Sequence, residues 1–174
     1  MMIDRRCLGV VLAGAALAGC ATDAQTTSGP QALSGSSPSA LRLTALSGGA
    51  FLMQSAQLGA SKAQRPELRR FAPFEVSEQQ GLVQAMGLVG SAGTPPAPTS
   101  EKAAILQQLQ TASGSEFDRL FVAAQIQGHR EALAVYTAIQ QSSAAPASDR
   151  AIALLAADRI REHLTLLEAL SLRA

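Results

Sequence analysis

Four side chains in this 174-residue chain could do chemistry together: Glu75, Glu78, His129 and His163. The two histidines are the only ones present. With about 100° of turn per residue, Phe117, Phe121, Ala124, Gly128, Val135 and Ile139 form an apolar stripe on one helical segment. Asp118, Gln125, His129 and Tyr136 run along its edge on one seam. In the last segment Ile152, Ala156, Ile160, Leu167 and Leu170 face inward, with His163 among them and Arg159 a turn away. In an earlier one, Phe71, Leu82, Met86 and Val89 set the face, and Glu75 and Glu78 fall on it. A carboxylate leaves water only with a partner, a proton or a metal. Inward Glu and His on facing helices are how bundle cores hold metals. One reading is therefore a transition metal ion held by Glu75, Glu78, His129 and His163. The other is a closed interior network: His129 with Asp118, His163 with Tyr136, Glu78 with Arg159. No Glu-x-x-His pair is present, so the network is the favoured expectation. No cofactor is then expected, and a metal ion is the alternative.

Other chemistries are excluded more firmly. There is no Gly-x-Ser-x-Gly for a nucleophile elbow. The stretch GLVGSAG lacks the Lys and the preceding strand of a phosphate loop.

The elements that must position these residues are helical. Aromatics make up 3% of the chain, with no Trp, so the core is built from Ala, Leu, Val and a few Phe. No period-2 pattern persists. A first helix is expected over 41–64, weakly amphipathic, with Phe51, Ser55, Leu58 and Lys62 on one side and Gly48-Gly49 weakening its start. A second begins at Pro66, with Glu67 in its first turn, and runs to about 89. Pro73 should kink it. The Pro-rich stretch 90–100 breaks the chain. Ser100 is expected to cap a short helix over 101–111 that turns Ile105 and Leu109 to one face. Ser113 with Glu116, and Ser115 with Asp118, offer capping boxes for a helix reaching 141. Ser148 is expected to cap the last one, which ends near 172. Four long helices and one short, with brief loops, predict an all-α antiparallel four-helix bundle with one additional short helix.

The N-terminus carries an address. Arg5 and Arg6 precede an apolar run of about a dozen residues, too short against the roughly 20 that span a bilayer. A basic start, an apolar stretch and a small-residue end make a secretory signal. Leu17-Ala18-Gly19-Cys20 resembles a bacterial lipobox, which implies a signal peptide over 1–19 and lipidation of Cys20. One acyl chain anchors only marginally, and several on one residue hold firmly. The polar, Ser- and Gly-rich stretch that follows reads as a tether over 20–40, leaving 41–174 for the bundle. Ala21 in place of Asp directs such a protein to the outer membrane, facing the periplasm. The two cysteines are Cys7 in the leader and Cys20 at the anchor, so no disulfide is expected. Losing Asp4, Arg5 and Arg6 brings acidic and basic side chains into balance, without the basic footprint of a nucleic-acid binder. The expected partner is the membrane, through the lipid; the sequence names no protein partner.

FDRLFVAAQIQGHREALAVY (117–136), REHLTLLEAL (161–170) and RPELRRFAPFEVSEQQ (65–80) together resemble the family called domain of unknown function 4142. The resemblance covers roughly 41–170. Its most specific part is Phe117-Asp118, Gln125 with His129, and the later His163. It implies a ferritin-like helical bundle in a secreted or lipid-anchored bacterial protein, sometimes labelled an outer membrane protein, with no established activity. The family pattern usually places a glutamate where this chain has Leu52, Asp-His where it has Glu78-Gln79, Tyr at Phe121, and a Pro shortly before its last His. Leu is no ligand and neutral Gln a poor one, so the resemblance implies a weakened metal site. The functional expectation is a non-enzymatic envelope module, for partner binding or stress tolerance. The alternative is a ferritin-like metal or redox protein with a degenerate site.

Overall fold

Five helices account for nearly all of Leu33, 35–90 and 97–172, the residues that this computed structural model describes. The leader, Cys20 and most of the tether lie outside them, as does the middle of the Pro-rich break. The helices are α1 (Pro38–Lys62), α2 (Pro66–Leu88), α3 (Ser100–Thr111), α4 (Gly114–Gln141) and α5 (Ala147–Ser171). Among the described residues there is no strand, and no helix is long and apolar enough to cross a membrane.

Helix starts follow local chemistry, though not always the expected residue. Ser37 caps α1 through its hydroxyl, which accepts from the Ala40 N–H at 3.2 Å, and Pro38 opens the first turn. The helix thus begins three residues before the expected 41. Thr99, not Ser100, caps α3, accepting from Lys102 N–H. Ser113 precedes α4 but makes no side-chain cap, so neither expected capping box forms. Asp118 is engaged elsewhere. Pro146 precedes α5 in place of Ser148. Pro73 sits inside α2 without ending it: the residue is exposed, as is Arg69, whose carbonyl loses its intrahelical donor. Val89 falls just past α2 and is 38% exposed, so it is not part of the inner face.

α1 is the central helix. It packs against α2, α4 and α3, and the consecutive residues Gly49, Ala50, Phe51 and Leu52 are all buried. A helix covered on several sides has no broad polar face. That is why its pattern reads as weakly amphipathic. α4 approaches α1 closely at Gly128, where an added Cβ would lie 2.6 Å from Leu52 Cδ2. The neighbours run α2, α1, α4, α5, and α5 returns to α2, touching it less than the other pairs touch.

Polar clamps fix both ends. At one, the Arg42 guanidinium donates to Met86 O at 2.9 Å and pairs with Asp149, tying α1 to the end of α2 and the start of α5. At the other, Asp118 accepts from the N–H groups of Gln64 and Arg65 in the α1–α2 turn, at 3.0 and 2.9 Å. Arg65 in turn donates to Leu170 O at 3.0 Å. Adjacent long helices therefore run antiparallel. The middle of α2, α4 and α5 is left to face a common interior.

Candidate metal centre

Glu75 of α2, His129 of α4 and His163 of α5 meet midway along the bundle. Glu75 Oε2 lies 3.2 Å from His129 Nε2 and 3.1 Å from His163 Nδ1, and the two nitrogens are 3.1 Å apart. The Glu75 and His129 side chains are 0% and 1% exposed, and His163 is 12% exposed. Phe71 closes one side, its ring edge-on to His163 at 5.1 Å between centroids.

Each member is oriented by a second group. His129 Nδ1 is 2.7 Å from the backbone carbonyl of Gln125. A carbonyl only accepts, so Nδ1 carries hydrogen and a neutral ring presents its Nε2 lone pair to the centre. His163 turns Nε2 toward Glu78 Oε2 at 3.6 Å, leaving Nδ1 inward. Gln79 Nε2 donates to Glu75 Oε1 at 2.9 Å and so reserves Oε2 for the centre. Gln79 fits there because position 49 on α1 is glycine: a Cβ would stand 2.6 Å from Gln79 Oε1. Gln125 itself is held by α1, donating to Ser55 Oγ at 2.8 Å and Leu52 O at 3.2 Å.

The electrostatics follow from burial. Burial alone would raise the Glu75 carboxyl, but hydrogen bonds from His129 and His163, the nearby imidazole charge and Gln79 outweigh it and bring the pKa to about 2. Glu78 moves the other way, raised by partial burial and by Glu75, with His163 and Arg159 working against the shift. Arg159 Nε is 3.7 Å from Glu78 Oε2, as expected from sequence. Burial raises the Tyr136 phenol, and the charges of Glu78 and Glu75 add to it.

The expected closed network is otherwise corrected. Asp118 is buried, but its two oxygens serve the α1–α2 turn rather than His129, because α4 places it about three turns from that ring. His163 pairs with His129, Glu75 and Glu78, not with Tyr136. Of the four candidate ligands, three converge. Glu78 stands behind His163 at its outer nitrogen.

With His129 Nδ1–H turned to Gln125, its Nε2 faces the centre as a lone pair in the neutral ring and as a donor to Glu75 in the charged one. His163 Nε2 stands 3.6 Å from Glu78, beyond hydrogen-bond distance, while its Nδ1 lies 3.1 Å from both His129 Nε2 and Glu75 Oε2. One hydrogen serves a single pair of these atoms, whereas a cation held there would be within reach of all three. With bonds of about 2.0–2.2 Å, neighbouring donors sit about 3.0 Å apart in an octahedral corner and about 3.4 Å apart in a tetrahedral one. The observed 3.1–3.2 Å falls between. The donor set is two imidazoles and one carboxylate, which suits zinc or ferrous iron.

The sequence reading met Gln79 only as a poor ligand at a position where the resemblance implies His; it missed the amide's orienting role and missed Gly49 altogether. The signal available was the i, i+4 spacing of Glu75 and Gln79 on one face. Nothing in the sequence pairs position 49 with position 79.

The family model described as Domain of unknown function (DUF4142) matches residues 22–170. No curated protein and no solved structure matches the chain. The matched span takes in all five helices but for the last residue of α5, and the chain belongs to the DUF4142 family.

Proposed function

We propose that this protein is a lipid-anchored envelope module whose helical bundle holds one divalent transition-metal ion through Glu75 Oε2, His129 Nε2 and His163 Nδ1. The convergence of three buried potential ligand atoms within 3.1–3.2 Å of one another carries this reading. The orienting partners support it. A backbone carbonyl on one histidine and a carboxylate beside the other are the outer-shell arrangement that metal-ligating histidines use. Ligands drawn from facing helices at mid-height also favour a ferritin-like four-helix arrangement, with α3 as the additional helix. The departures from the family pattern at Leu52, Glu78 and Gln79 do not empty the site, because Glu75, three residues before Glu78, supplies the inward carboxylate.

Titration of chelator-treated, untagged protein with Co²⁺ tests the site. One ion per chain is expected, with d–d absorption that Glu75→Gln or His129→Ala abolishes. Protein that takes up no ion, or takes it up equally well in those variants, defeats the proposal.

The anchoring half of the reading rests on Leu17-Ala18-Gly19-Cys20, the basic start and the tether. Ala21 favours the outer membrane, facing the periplasm. Cys20→Ser should move the protein from the membrane fraction to the soluble one. A variant still sedimenting with membranes rules the anchor out.

A further inference from the structure

We propose that the groove between α2 and α5 is the loading route by which a divalent cation reaches the buried centre, an inference that rests on the metal reading above. The groove has a volume of about 1180 Å³ and follows the loosest of the neighbouring helix contacts. Of the three converging side chains only His163 lines it. His163 is also the one that reaches solvent, at 12% exposure against 0–1% for the other two. Behind it lies Glu75 Oε2, 3.1 Å from His163 Nδ1, fully buried and the end of the path.

The groove has the charge to collect a cation. Glu67, Glu78, Asp158 and Glu162 line it, against Arg70 and Arg159. Glu162 and Glu78 both flank Arg159, at 2.7 and 3.7 Å, and so share a single guanidinium. A cleft with surplus negative charge and apolar walls concentrates cations and speeds their capture. Glu78, 21% exposed and 3.6 Å from His163 Nε2, bridges this outer rim and the inner donors. An arriving ion exchanges hydration water for the Glu78 carboxylate before it passes His163. The groove between α4 and α5 is lined by Arg119 and Arg130 with Glu131 and Glu168, and by none of the three donors.

Two variants separate the route from the site. Gly81 lines the α2–α5 groove, and a Cβ there meets nothing within 4 Å, so Gly81→Trp fills the channel without disturbing the core. Glu67→Gln/Glu162→Gln removes charge from the rim and touches no donor. Stopped-flow mixing of metal-free protein with Co²⁺, and of the loaded protein with chelator, reads both rates. Gly81→Trp should slow association and release together by about tenfold, leaving Kd within about threefold of the parent. The double variant should slow association by about threefold at low salt, a difference that fades at high salt. Ala123→Trp, in the α4–α5 groove, should leave the rates unchanged. If the parent binds Co²⁺ and Gly81→Trp loads at the parent's rate, or Ala123→Trp is the variant that slows, the route is wrong and the site stands. A parent that binds no Co²⁺ overturns both.

Discussion

Two buried carboxylates, Asp118 and Glu75, show what separates a structural acid from a binding one. Asp118 is 4% exposed, and each of its oxygens accepts a backbone N–H from the α1–α2 turn. Its charge is answered by fixed donors that come with the fold. Glu75 is 0% exposed and only Oε1 has a fixed donor, the Gln79 amide, while Oε2 faces two imidazole nitrogens at 3.1–3.2 Å. The first arrangement is complete once the chain has folded. The second depends on the protonation of the two rings, or on the ion of the proposal, for its complement.

The largest effect expected from this contrast is on stability. Asp118→Ala leaves two part-buried N–H groups of the turn without their charged acceptor, and a hydrogen bond to a charged group contributes about 1.5–3 kcal/mol. Chemical denaturation should show a loss of about 3 kcal/mol for the pair. Metal affinity, read by Co²⁺ titration of the folded fraction, should stay unchanged. A variant that folds normally but binds the ion tenfold more weakly would erase the distinction between the two acids.

The positions of both acids were legible in the sequence, but their roles were not. Helical phase placed Asp118, Gln125, His129 and Tyr136 on one seam, and all four are buried. It placed Glu75 and Glu78 on the inner side of α2. Those two residues differ by only about 60° around a helix. That is enough for one to reach the centre and the other to stop at the outer nitrogen of His163. Phase within one helix cannot rank them, because the decision belongs to α5. Asp118 was misread as a partner for His129 because the turn it serves is 53–54 residues away in the chain. α1 was the least legible element. With α2, α3 and α4 against it, its apolar residues show no single face. Its contribution to the site is a space at Gly49 rather than a side chain.

A smaller effect sharpens the comparison from the other side. Gln79→Leu keeps the shape near Gly49 but removes the amide that holds Oε1. Loss of an outer-shell partner typically weakens metal binding by about 10–100-fold. About tenfold is expected here, because the ligand itself remains, with a change in the Co²⁺ spectrum as Glu75 becomes free to offer both oxygens. The melting temperature of the metal-free protein should move little. If affinity and spectrum both stay at the parent's values, Gln79 fills space and does not position Glu75.

The smallest effect is a difference of slopes with pH, measured by thermal melts in chelator between pH 5 and 3. Glu75 has a folded pKa near 2 against an ordinary value of 4.5, so its contribution is present above 4.5 and is lost as pH falls toward 2. Glu78 has a raised folded pKa, so its contribution has the opposite sign: it is present at low pH and lost as pH rises through the folded value. In the parent the two partly cancel. Glu75→Gln should therefore flatten the acid loss of stability, and Glu78→Gln should steepen it. Asp118→Ala is no substitute control here, since its cost comes from the turn and not from the imidazoles. Slopes that change in the same direction for both glutamine variants would mean that Glu75 and Glu78 share one environment, and the division between an inner and an outer carboxylate would fail.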